Sequence, residues 1–155
     1  SEQDKKEIKI DIPIDAYIPS NYISDSSTRI LIYQECSSCS TINEISDMRN
    51  SLVDRFGSFP KPVKALLLIM EIKVLGQELN ISHLNLNEKE NFFSFSFYGD
   101  DNEVKQYIEK ILSLSKQQFE ISYGKPIQMK TVFQSGTLFQ KAYQIRDIFF
   151  SLINN

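Results

Sequence analysis

Hydrophobic and polar residues change their period several times along the chain, and each change marks an element. Ile8, Ile10, Ile12 and Ile14 alternate with Lys9, Asp11, Pro13 and Asp15. That alternation puts the isoleucines on one face of an extended segment, and Pro13, which has no N–H, confines it to a sheet edge. A helix is expected from about Asp25 to Cys39, capped by Ser24 or Asp25, with Ile30, Leu31 and Tyr33 beginning its apolar face. A second opens at Thr41, where Thr41-Ile-Asn-Glu44 has the spacing of a reciprocal cap. Its apolar residues Ile45, Met48, Leu52 and Phe56 recur at helical spacing, and Gly57 stops it. Pro60 and Pro62 open a third helix over about 61–79. It is apolar round most of its circumference, with only Lys64, Glu71 and Glu78 in a polar line. Such a helix belongs in the middle of a core.

After Asn80 the alternation returns. His83-Leu-Asn-Leu-Asn87 and Phe93-Ser-Phe-Ser-Phe97 read as a hairpin across Glu88–Asn91, with one aromatic face packed on helices. Asp100-Asp-Asn-Glu103 is another reciprocal cap, opening a helix with Val104, Ile108, Ile111 and Leu112 inward. Phe119–Tyr123 and Ile127–Phe133 read as short strands joined at Gly124-Lys-Pro126. A last helix is expected over about 135–152, with Leu138, Ala142, Ile145, Phe149 and Leu152 as its face and Phe139, Tyr143, Phe150 and Ile153 widening it. Several helices with short, hairpin-like strands give the α+β class: helices packed on a small, mostly antiparallel sheet. Residues 8–155 are expected to form a single compact domain, and 1–7 a disordered tail or truncation scar.

Composition then removes function classes. The chain has 155 residues, Lys+Arg 17 against Asp+Glu 20, and a formal net charge of −3. That balance disfavours a general nucleic-acid binder, which displaces counterions with surplus Lys and Arg. The longest apolar run, Ala65–Met70, is far short of the roughly 20 residues that span a bilayer. The polar N-terminus has neither signal nor transit character. These features lead to a cytoplasmic expectation.

The candidate chemistry is sparse. Cys36-Ser-Ser-Cys39 has redox spacing but sits at a helix end, with no second pair, so ordinary thiols are expected. His83, the single histidine, lies in a strand pattern without an obvious nucleophile or orienting partner. Gly124-Lys125 is followed by Pro126, so no phosphate loop forms there. No metal or other cofactor is expected in this chain. Two catalytic or ligand-binding alternatives stay open. Phe93, Phe95 and Phe97 could form a stacking platform for single-stranded nucleic acid, although no Lys or Arg stands inside 92–98. A small hydrolase would need an unrecognised carboxylate pair, and the sequence offers no pocket for one.

One set of residues carries more. Ala16-Tyr-Ile-Pro19, Asn21-Tyr-Ile23, Asp25, Arg29-Ile-x-x-Tyr33 and Leu52-Val-Asp-Arg-Phe-Gly57, followed by Pro60, stand in an order that resembles the C-terminal domain of bacterial transcription-repair coupling factors. The resemblance is specific over about residues 8–80 and rests beyond that on the order of elements. It implies a parent protein that is an ATP-dependent DNA translocase of helicase type. That parent displaces stalled RNA polymerase at DNA lesions and recruits UvrA for nucleotide excision repair. It also implies that ATP and magnesium belong to motor domains outside this chain, and that the domain itself is a non-catalytic clamp. The clamp would fold back on the UvrB-like N-terminal module of the same chain and mask its UvrA-binding surface, with no direct nucleic-acid contact.

The same resemblance assigns the masking contact to acidic residues on the helix ending in Asp-Arg-Phe-Gly. The motif aspartate is Asp54. The second acidic position of the family is Ser51 here, which leaves Asp47, one turn further back, as its substitute. Basic residues that often follow the first-helix tyrosine are replaced by Gln34 and Glu35, adding acidity.

Overall fold

The computed structural model describes residues 6–154, so only Lys6 and Glu7 of the expected tail are covered and residues 1–5 lie outside the described residues. Ten elements follow in order: β1 (Lys9–Asp11), α1 (Ser26–Ser38), α2 (Ile42–Phe56), α3 (Lys61–Glu78), β2 (Ile81–Asn87), β3 (Phe92–Phe97), α4 (Asp101–Leu114), β4 (Glu120–Tyr123), β5 (Ile127–Val132) and α5 (Leu138–Asn154). The architecture is α+β. The chain resolves into two compact units: Ile14–Val74, and the stretch up to Pro13 together with Leu75 onward. The division falls inside α3.

The unit Ile14–Val74 is helical. Ile32 and Cys36 of α1, Ile45, Met48 and Leu52 of α2, and Val63, Leu67, Met70 and Val74 of α3 make its core with Ile18 and Ile23 of the entering loop. Asp25 caps α1, accepting from the Thr28 N–H at 2.9 Å and from the Thr28 hydroxyl. Those bonds, the side-chain one first, hold its carboxyl below the usual aspartate range. The apolar face of α1 differs from expectation. Three consecutive apolar residues left its direction open, and the buried pair is Ile32 and Cys36, four apart, while Ile30 and Leu31 are each 58% exposed. Thr41 caps α2 as expected, accepting from the Glu44 N–H, but the returning Glu44 carboxylate takes the N–H of Ser40 at 2.9 Å rather than that of Thr41. Glu71 leaves the expected polar line of α3 and is buried, because Arg49 Nη2 reaches its Oε1 at 2.7 Å.

The other unit holds one five-stranded sheet in the order β1-β2-β3-β5-β4, parallel between β1 and β2 and antiparallel elsewhere. β1 is an edge strand, as Pro13 requires. β3 is central, and its register sets Phe95 between Leu84 and Met129 and Phe93 between Leu86 and Thr131. Phe93, Phe95 and Phe97 are all fully buried. Phe95 meets Phe149 of α5 edge-on at 5.6 Å, and Phe97 stacks on Tyr107 of α4 at 6.1 Å. Ser94 and Ser96 point the other way and are buried too, because short side chains on a central strand sink between His83 and Asn85 on one side and Gln128 and Lys130 on the other. In α4, Leu112 is 48% exposed rather than inward, while Val104, Ile108 and Ile111 are buried. The last helix begins later than expected, at Leu138. Thr137 and Gln140 cap each other reciprocally, the Gln140 side chain taking the Thr137 N–H at 2.9 Å. Its extra aromatic residues Tyr143 and Phe150 face solvent.

Two outcomes follow from this packing. Phe95→Ala deletes a ring at the centre of the aromatic cluster and is expected to cost roughly 3–5 kcal/mol in denaturant unfolding. Phe150→Ala, at the solvent-facing position of α5, should cost well under about 1 kcal/mol. Burial first, then the neighbouring Cys39 and Glu35, push the Cys36 thiol up to about 11, and burial also raises Cys39. Only the thiolate alkylates. Mass spectrometry after iodoacetamide treatment of the native protein near neutral pH should find Cys39, the less buried thiol, labelled first, and Cys36 labelled only with denaturant. The raised Cys36 pKa costs stability only as pH climbs above the ordinary 9.0 toward about 11, where the unfolded thiol ionises and the folded one does not.

Candidate functional site

The residues that carried the resemblance prove to have local structural work. Tyr22 donates its hydroxyl to the carbonyl of Gly57 at 2.8 Å, and its ring lies 5.9 Å from that of Phe56. Arg29 donates from Nη1 to the carbonyls of Ile23 and Ser24 at 2.7 and 3.0 Å. The Tyr33 hydroxyl accepts the N–H of Ile18 at 2.7 Å. Gly57, at φ 86°, ends α2 in a conformation that side-chain-bearing residues rarely adopt, and its N–H bonds the Val53 carbonyl at 2.9 Å. These contacts tie the loop before α1 to the end of α2, so the presentation of α2 is fixed by the motif.

The three residues assigned to partner contact, Asp47, Ser51 and Asp54, all lie on α2 and all are exposed. Their spacing of four and three keeps them on one side of the helix. Asp47 and Asp54 are two turns apart, about 10 Å along the axis. Asn43 and Asn50 are exposed at the same helical spacing and extend the face. Sequence reasoning passed over these two, although their positions, four before Asp47 and four before Asp54, were visible once α2 was set.

The charges on α2 are unevenly used. Glu44 is committed at the N-terminus through Ser40. Arg49 is bound to Glu71 at 2.7 Å. Arg55 lies over the Phe56 ring, 4.9 Å from its centroid. Among the described residues no ion pair engages Asp47 or Asp54. The helix therefore turns outward two carboxylates flanked by amides and a hydroxyl, a face suited to basic groups on a protein partner.

The other candidates fare differently. Cys36 and Cys39 end α1 with raised thiol pKa values, the opposite of an activated redox pair. His83 does have a partner: its Nε2 lies 2.9 Å from Asp11 Oδ2, a half-exposed cross-strand contact that sequence separation concealed. Phe93, Phe95 and Phe97 are enclosed and offer no ring to a base, which removes the stacking platform. A cavity of about 650 Å³ opens at the start of α4, lined by Ser82, Tyr98, Asp100, Asp101 and Lys125. Its Asp100 accepts the Glu103 N–H as the helix cap. No group of three or more metal-ligating side chains occurs among the described residues. No helix there is long and apolar enough to cross a membrane.

Comparison with known proteins bears on this arrangement. The chain is 28% identical over 146 residues to the transcription-repair-coupling factor of Borreliella burgdorferi, a match covering 94% of this chain and 12% of that protein. It is 39% identical over 72 residues to the coupling factor of Bacillus subtilis, covering 46% of this chain and 6% of that protein. To the coupling factor of Buchnera aphidicola it is 30% identical over 98 residues, covering 63% and 12%. The chain thus spans only a small part of the length of these relatives. Its fold matches a crystal structure of the C-terminal domain of transcription-repair coupling factor with a TM-score of 0.84, at 23% identity, over 99% of this chain and 96% of that one. The TRCF domain family model matches residues 12–108, which include the loop motif, α1, α2 and the outward acidic face. The chain belongs to the TRCF domain family.

Proposed function

We propose that this chain is the regulatory, non-catalytic domain of a transcription-repair coupling factor, and that the α2 face bearing Asp47, Ser51 and Asp54 docks on a basic surface of the UvrB-like module in the same polypeptide. In this reading the docked domain covers the surface that UvrA needs, and release follows when the motor engages stalled polymerase. ATP and magnesium serve the motor and not this domain, and the protein works in the bacterial cytoplasm. The observation that carries the reading is the pair of exposed carboxylates, two turns apart, that no ion pair among the described residues engages.

Physical considerations support a weak contact. Charged groups at an interface rim set specificity and salt dependence more than affinity. A tethered partner stands at roughly millimolar effective concentration, so a contact that is weak between separate molecules still closes the chain on itself. Replacing one of the family's acidic residues with Ser51 leaves two carboxylates to do this work, Asp47 and Asp54.

Two outcomes test the reading. Asp54→Arg in the full-length coupling factor is expected to raise UvrA binding, measured by pull-down or calorimetry, with unchanged circular dichroism for the domain. Unchanged UvrA binding with an intact fold would remove Asp54 from the contact. The separate domain and module should bind with a Kd of roughly micromolar to millimolar, weakening as salt rises. Affinity indifferent to salt would contradict an ionic face.

A further inference from the structure

The two thiols at the end of α1 take no part in the outward face of α2, and a third sulfur stands with them. Cys36 Sγ lies 3.4 Å from Met48 Sδ, and both side chains are buried in the core that α1 and α2 share. Cys39 follows Cys36 by three residues, so their Cβ atoms lie about 5–6 Å apart on one side of the helix. It packs against the same core cluster but is only partly buried, which makes it the solvent-side member of the three. The local sequence brings them together. α1 stops at Ser38 and α2 starts at Ile42, so a short turn capped by Thr41 folds one helix back on the other. Met48 then lies on the inward stripe of α2 with Ile45 and Leu52, as Cys36 does on that of α1 with Ile32.

Cysteine and methionine are ordinary core residues singly. Three sulfurs converging from two helices have a further chemistry, because thiolate and thioether donors select soft cations such as Cu(I). Metal–sulfur bonds of about 2.3 Å set trigonal sulfurs about 4 Å apart. Cys36 and Met48 therefore need to part by only about 0.6 Å. Cys39 Sγ rests against the Glu35 carbonyl at 3.4 Å, a weak contact that one staggered step of χ1 releases. Burial first, then Glu44 and Glu35, raise the Cys39 thiol pKa; the two carboxylates that resist a bare thiolate favour a cation beside it. Harder metals are not served here. Among the described residues His, Cys, Asp and Glu form no trio, and zinc prefers four N, S or O donors to a thioether.

We propose that Cys36, Cys39 and Met48 form a three-sulfur site for a soft monovalent cation, Cu(I), which pins the end of α1 to α2. Binding exchanges the two thiol protons for the metal ion; the protons pass to solvent and no electron moves. The test is anaerobic titration of this chain with Cu(I) in competition with the colorimetric chelator bicinchoninate. One ion should bind per chain, and X-ray absorption should show three sulfurs at about 2.3 Å. Met48→Leu conserves core volume, should weaken binding about tenfold or more, and should leave two sulfurs in the spectrum. Cys39→Ser, at the partly buried position, should weaken it roughly a hundredfold or more. The parent should also melt at higher temperature with Cu(I) than without, and Met48→Leu should lose most of that rise, because the ion favours the packed helix pair. Met48→Leu that keeps its circular dichroism and binds as tightly as the parent would overturn the proposal. So would a two-sulfur spectrum for the parent, or a Cu(I) affinity no higher for the folded chain than for the chain unfolded in urea.

Discussion

A helix with apolar residues on nearly every side has to be enclosed, and α3 imposes that constraint on this chain. Val63, Leu67, Met70 and Val74 supply the floor on which the α1–α2 pair assembles. Its last turn belongs to the sheet-bearing unit. There Gly76 is in contact range of Phe149 and Ile81, and a Cβ at that position would fall 2.5 Å from the Ile8 side chain. Small size, rather than backbone freedom, is what this glycine contributes. The single acidic residue buried in the helix, Glu71, is admitted because Arg49 meets it. The orientation of α2 then follows from two sets of ties: apolar contact with α3 beneath it, and the Tyr22 bond to Gly57 at its end.

Much of the fold was legible because each element carries its own punctuation. Thr41, Asp100 and Gly57 stop or start helices by local hydrogen bonding, and period two in Phe93–Phe97 can be satisfied only by a strand. What failed was direction. Ile30-Leu31-Ile32 is apolar throughout, so spacing within the run could not say which residue turned inward; Cys36, one turn on, decides for Ile32. The start of α5 falls later than the expected 135 because Thr137 and Gln140 carry the same reciprocal signature as Asp100 and Glu103. Tertiary partners were invisible for a plainer reason. Arg49 and Glu71 are 22 residues apart, and His83 and Asp11 are 72 apart, so no local pattern links them.

The candidate site was partly legible. Family resemblance directed attention to Asp54 and its neighbours, and helical spacing alone places Asp47, Ser51 and Asp54 together. Their exposure follows from the helix itself, whose opposite side carries Ile45, Met48 and Leu52 into the core. Charge composition could not reveal it: a net charge of −3 over 155 residues is compatible with a fully neutralised helix. The motif residues Tyr22, Arg29, Tyr33 and Gly57 are structural by their contacts: they build a scaffold that presents α2 rather than a reactive centre.

The central claim, that the outward face of α2 meets the UvrB-like module, is tested most directly by two-dimensional NMR of the labelled chain titrated with that module. The account predicts that amides of Asn43, Asp47, Asn50, Ser51 and Asp54 shift first and that the shifts shrink as salt is raised. Shifts confined to the sheet or to α5, with α2 unmoved at saturation, would contradict it.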